Sequence, residues 1–158
     1  MSLSGTHCWK EYEMAGIVVG VDGSDHAHRA LTWAMKEAAI RHVPLTVLAV
    51  HAVAASGWTG NPIILPEDRD DVDKIRNTVQ ETVAKTAAEI GQPQPPSVTV
   101  QAMNGFPAHE LIEASRNAEL MVLGARGAGG FTTLMIGSVS NQVVHHAHCP
   151  VVVVPHDR

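Results

Sequence analysis

The chain has 158 residues, enough for one domain of ordinary size that buries a core without metals or disulfides. Apolar residues at 45% and charged residues at 17% exclude a disordered chain, and aromatic residues at 4% leave Val, Ala, Leu and Ile to fill a parallel-sheet core. A formal net charge of −5, with Lys and Arg few and scattered, argues against nucleic acid as a partner.

Residues 1–13 (MSLSGTHCWKEYE) show no periodicity and read as a flexible extension or tag, with Met14 a candidate natural start and a single domain over 14–158. The run from Gly16 to Asp22 is a short β-branched strand ending in turn residues. Ser24 and Asp25 are placed to cap a helix whose apolar face is Ala27, Ala30, Leu31, Ala34, Met35 and Ala38, with Pro44 as its stop. Leu45–Val50 is a second buried strand. Residues 52–69, rich in Gly, Pro, Ala and Ser before turning acidic, read as a long loop. Val72, Ile75, Val79, Val83, Ala87 and Ile90 mark a second amphipathic helix, stopped between Gly91 and Pro96. Val98–Met103 alternates as a third strand, and Pro107 sits at a first helical position. Leu120–Leu123 is a fourth strand, Ser138 opens a fourth helix, and Pro150–Pro155 encloses a fifth strand of four valines. This alternation predicts an α/β fold: one parallel sheet, right-handed crossovers, helices on both faces. No apolar run reaches membrane-spanning length and residues 1–13 lack a signal peptide's apolar stretch. Cys8 and Cys149 lie far apart and make no disulfide framework. The expectation is a cytoplasmic protein without a membrane partner.

In such folds ligands bind beyond the carboxyl ends of the strands, where the strand order reverses. Two loops are equipped for this. After strand one comes Val21-Asp22-Gly23-Ser24. Ser24 reads as a helix cap; Asp22 reads either as part of that cap or as a hydrogen-bonding group for a ribose or base. After strand four come Gly124, Gly127, Gly129 and Gly130, running on to Gly137-Ser138. These glycines serve either a surface turn or an anion cradle of backbone N–H groups, completed by the N-terminus of the fourth helix and the charge of Arg126. His145, His146, His148 and Cys149 are crowded metal-ligand types, but neighbours on a helix point apart and no second ligand pair is evident, so no metal site is assigned. His109-Glu110 lacks a metalloprotease helix's second histidine, and no Ser-His-Asp or Cys-His set is apparent.

Gly124-x2-Gly127-x9-Gly137-Ser138 resembles the ATP-binding signature of the universal stress protein family. The resemblance runs from about Gly16 to Pro155, through VGVDGS, LTVLAVHA, ELMVLGARG and GSVSNQVVHHAHCPVVVV. It implies a Rossmann-like, adenine nucleotide alpha hydrolase-like fold: five parallel strands ordered 3-2-1-4-5. It implies ATP as ligand, with AMP or ADP as alternatives and Mg2+ or Mn2+ beside the phosphates. By that resemblance Asp22 and Val50 hold the adenosine end, Gly124, Arg126 and Gly127 line the ribose and phosphates, and Gly137, Ser138, Val139 and Ser140 hold the phosphates.

No lysine follows the glycines and no pair of metal-binding carboxylates stands beside them. The leading expectation is therefore a nucleotide-binding regulatory or stress-response protein with little or no turnover. The alternatives are a slow ATPase or adenylate-transferring enzyme on the same scaffold, and a nucleotide-free dimerisation module. A homodimer is expected, the alternative being that the 52–69 loop or the N-terminal extension covers the sheet edge within one chain. In the order 3-2-1-4-5 the valine strand lies at a sheet edge, and an uncharged β-branched edge needs a cover; the resemblance also implies pairing of this strand across a dimer axis.

Overall fold

The computed structural model describes residues 16–126 and 136–155. The expected N-terminal extension, the candidate start at Met14, and Gly127, Gly129 and Gly130 lie outside the described residues.

The elements follow in order: β1 (Ile17–Val21), α1 (Asp25–Arg41), β2 (Leu45–Ala52), a small hairpin of β3 (Ala54–Ala55) and β4 (Pro62–Ile63), α2 (Pro66–Ile90), β5 (Val98–Gly105), α3 (Pro107–Ala114) with a 3-10 turn over Ser115–Asn117, β6 (Leu120–Gly124), α4 (Ser138–His146) and β7 (Val151–Val154). The main sheet is ordered β5-β2-β1-β6-β7 and every pairing in it is parallel. With the hairpin set aside, this is the expected 3-2-1-4-5.

Alternation along the strands builds two cores. Ile17, Val19, Leu45, Val47, Leu120 and Val122 face α1 and α2. Val18, Leu48, Met121 and Leu123 face α3 and α4, where Leu111, Ala114 and Val143 meet them. α1 approaches closely because its buried stripe is mostly alanine, with Leu31 and Met35 as its only large members. Truncating either to alanine costs about 3 kcal/mol. No helix among the described residues is long and apolar enough to cross a membrane.

The structure differs from the sequence reading between residues 52 and 69. The stretch read as a loop holds an antiparallel hairpin, and α2 begins at Pro66, six residues before its first apolar position at Val72. Its acidic first turn supplies its own cap: Leu65 N–H donates to Asp68 Oδ2 at 2.6 Å. Asp68 Oδ1 lies 3.1 Å from His51 Nε2, tying the start of α2 to the end of β2.

Candidate functional site

β1 and β6 are neighbours in the sheet, yet the chain leaves β1 towards α1 on one face and leaves β6 towards α4 on the other. The crevice this opens is a cleft of about 370 Å³. Of the nine residues expected to bind nucleotide, Asp22, Val50, Gly124, Arg126, Gly137, Ser138, Val139 and Ser140 all line it. Gly127, the ninth, lies outside the described residues.

The floor is apolar. Leu48 and Val50 from β2, Leu123 from β6 and Leu111 from α3 form it. Gly20 permits this closure: a Cβ there stands 2.8 Å from both Leu111 Cδ2 and Leu123 Cδ2. Pro107, at the start of α3, forms part of the rim. Asp22 and Arg126 are the only ionisable side chains among the described lining.

Asp22 is exposed, and its Oδ1 accepts from Ser24 N–H at 3.0 Å and Ser24 Oγ–H at 2.6 Å. Ser24 Oγ in turn accepts from Ala27 N–H at 3.2 Å, the expected cap of α1. Asp22 thus braces the cap and also lines the cleft.

Across the cleft, α4 starts differently. Gly137 is its N-cap residue and no side chain caps the helix. Gly137 donates its own N–H to Ala125 O at 2.7 Å, and the buried Ser140 Oγ–H donates to Gly124 O at 2.8 Å. These two bonds fix the first turn of α4 to the end of β6. The Ser140 hydroxyl is engaged with backbone, which leaves the Ser140 N–H as the group it can offer an anion. Gly124 acts through close packing. A Cβ there stands 2.7 Å from His26 O in the first turn of α1, so glycine lets both helix starts reach the same strand end. The first-turn N–H groups of α4, with the positive end of its dipole and Arg126 nearby, make a site suited to phosphate.

A family model, that of the universal stress protein family, matches residues 14–155. The chain belongs to the universal stress protein family. A universal stress protein of Mycobacterium tuberculosis is 36% identical over 150 residues, covering 94% of this chain and 50% of the relative. This universal stress protein chain thus spans about half the length of the curated relatives it matches. Among solved structures, the universal stress protein UspA from Lactobacillus plantarum superposes with a TM-score of 0.72 at 26% identity, over 89% of this chain and 97% of that one. The universal stress protein from Archaeoglobus fulgidus, solved in complex with dAMP, gives 0.56 at 25% identity, over 90% of this chain and 98% of that one.

The histidines near the C-terminus do not converge. The rings of His145 and His146 are 6.5 Å apart and tilted by 59°, and the backbone N–H of His148 donates to Ser115 Oγ at 2.8 Å. No three His, Cys, Asp or Glu side chains come together to hold a metal among the described residues. Cys149 packs on the α3–α4 core, and burial raises its thiol above the usual cysteine range, more than the backbone hydrogen bond at Met121 lowers it. Sequence reasoning missed Gly20, Leu48, Pro107, Leu111 and Leu123 as lining. Gly20 alone carried a signal, being a glycine inside a strand.

Proposed function

We propose that this chain is an ATP-binding universal stress protein with a regulatory or stress-response role and little or no turnover. The convergence of Asp22, Val50, Arg126 and the uncapped start of α4 on one cleft carries this reading. The adenosine end lies on the apolar floor with Asp22 and Val50, and the phosphates lie on Ser138, Val139 and Ser140. Gly124 and Gly137 serve by holding the two walls together, and Arg126 and Gly127 complete the phosphate end. The universal stress protein solved with dAMP supports an adenine nucleotide as the ligand class. When Mg2+ or Mn2+ accompanies ATP it screens phosphate charge that Arg126 alone leaves unbalanced.

The test is mass spectrometry of nucleotide released on denaturing freshly purified protein, with ATP expected. Absence of nucleotide, together with no heat on titrating ATP, would leave the dimerisation module as the better reading. A magnesium-dependent turnover of about 1 per second or faster, the range of dedicated enzymes, would move the assignment to an enzyme on this scaffold.

A homodimer through β7 belongs to the same proposal. Among the described residues β7 pairs with β6 alone, and its four valines are all partly exposed. Val152 and Val154 pack against the α1-side core, so charging them would damage the fold as well as the edge. Sedimentation of the unmodified protein is therefore the clean test: a dimer at tens of micromolar is expected, and a monomer there rules the proposal out.

A further inference from the structure

Seven large apolar side chains are exposed among the described residues, and four of them fall between residues 58 and 65: Trp58 at 97%, Ile63 at 43%, Ile64 at 46% and Leu65 at 53%. They sit on the β3–β4 hairpin and its exit into α2. The scaffold holds them there. Ser56 N–H donates to Asn61 O and Gly60 N–H to Ser56 O, both at 2.8 Å, closing the tip around Trp58. Val53 N–H donates to Gly105 O at 3.2 Å, and the His51–Asp68 contact at 3.1 Å fixes the other side of the base. A second cavity, of about 280 Å³, lies between Ile64, Leu65, Arg69 and Asp70 and shares no residue with the nucleotide cleft.

Charge surrounds this apolar seat. Glu67, Asp68, Asp70, Asp71 and Asp73 stand in the first turns of α2 against Arg69 and Lys74. Asp68 is engaged by His51 and Leu65 N–H, Asp71 by Lys74 at 3.3 Å, and Asp73 by Arg76 at 2.6 Å. Glu67 and Asp70 are exposed and have no ion-pair partner among the described residues. We propose that the hairpin and the first turns of α2 dock a cationic amphipathic segment of another protein, with an apolar side chain seated between Ile64 and Leu65 and a Lys or Arg on Glu67 and Asp70. Exposed apolar area of this kind, rimmed by charge, is the usual mark of an interaction surface. The sign of the rim selects among occupants. A second copy would bring Glu67 and Asp70 against like charge, in a chain already at −5. An anionic lipid surface would be repelled by the same carboxylates. Arg69, beside Asp70 on the rim, favours a segment with spaced cations over a contiguous basic run.

The test titrates the isotope-labelled full chain with a Leu/Lys amphipathic peptide and with its Leu/Glu counterpart, following backbone amide shifts. The Leu/Lys peptide is expected to bind, with shifts confined to about residues 56–71, and to weaken as salt rises through the screening range. Trp58→Ser, and separately the surface pair Glu67→Lys/Asp70→Lys, should each weaken it about tenfold or more, as loss of an anchor does. Glu81→Lys/Glu89→Lys, further along α2, should change it less than about twofold, as distant surface charges do. Circular dichroism and the thermal midpoint verify that each variant is folded, and the charge pair decides alone if Trp58→Ser is not. Binding of neither peptide, equal binding of both, or shifts elsewhere overturns the proposal. Self-association lost in Trp58→Ser would assign the surface to a second copy, and a tryptophan blue shift with phosphatidylserine vesicles would assign it to lipid; either result also overturns it.

Discussion

The start of α1 satisfies itself. Ser24 Oγ takes the N–H of Ala27, and Asp22 Oδ1 takes both the N–H and the hydroxyl of Ser24. The start of α4, across the same cleft, has glycine at the N-cap and no side-chain cap, while its two short bonds to β6 fix its position without occupying the N–H groups of Ser138 and Val139. One terminus spends its hydrogen-bonding capacity on folding; the other leaves it available to the nucleotide proposed above. Glycine at an N-cap gives up only a few tenths of a kcal/mol against a side-chain cap, so the open start of α4 is a small standing cost in stability. On the proposed function, the phosphates recover that cost.

The largest expected effect comes from forcing the two termini apart. Gly124→Val places a Cβ where His26 O stands 2.7 Å away, and that contact is backbone, which cannot rotate aside. We expect a loss of about 3 kcal/mol in denaturant unfolding, at the upper end for overpacking. An unchanged midpoint would mean that α1 yields freely and that the termini are not held in fixed relation.

Next is a change that makes α4 resemble α1. Gly137 has φ −67° and ψ 162°, extended backbone open to any residue. Gly137→Asp supplies a capping carboxylate, expected to raise stability by about 0.5 kcal/mol. In the proposed complex the same charge faces the phosphates, so ATP affinity should fall about 100-fold, or about 2.7 kcal/mol. Stability and affinity moving in opposite directions is the signature; calorimetric titration with unchanged ATP affinity would defeat the phosphate assignment.

How much of this contrast was legible in the sequence follows from where its signals lie. The strands and both helix starts were legible, because β-branched runs, Ser24-Asp25 and the glycine spacing are local patterns; the sheet order came only through the family resemblance. The apolar floor was not: Leu48, Leu111 and Leu123 look like any core residue until the topology brings three strand and helix ends together. Gly124 was legible as a glycine that matters but not as one pressed against His26 O, since that contact spans 98 residues of sequence. The start of α2 was missed because its first turn, Pro66 to Asp71, carries no apolar period; its signal was a proline followed by acids. The resemblance implied that Ser140 holds phosphate without saying through which atom, and only the hydrogen bond to Gly124 O shows its hydroxyl turned to the wall.

That bond supplies the third prediction. Ser140→Ala should cost about 1.5 kcal/mol, as for a buried hydrogen bond lost, and weaken ATP only about threefold by loosening the first turn of α4. A loss in affinity much larger than the loss in stability would show that the hydroxyl turns to the ligand when ATP is bound.

The smallest effect tests the other side of the contrast. Ser24→Ala removes the acceptor for Ala27 N–H and should cost about 1 kcal/mol of stability. Asp22 loses the hydroxyl donor at 2.6 Å but keeps the backbone N–H of residue 24 at 3.0 Å, so its carboxylate stays at the rim of the cleft. ATP affinity should therefore stay within about twofold, the change expected when no ligand contact is lost. Ser24→Gly gives the control, because glycine at an N-cap costs only a few tenths of a kcal/mol, roughly a third of the alanine effect. If Ser24→Ala lowered affinity tenfold while leaving the unfolding midpoint in place, the α1 terminus would be part of the binding surface. The division between a helix start that folds and a helix start that binds would then fail on the α1 side, whatever the Gly137→Asp variant showed for α4.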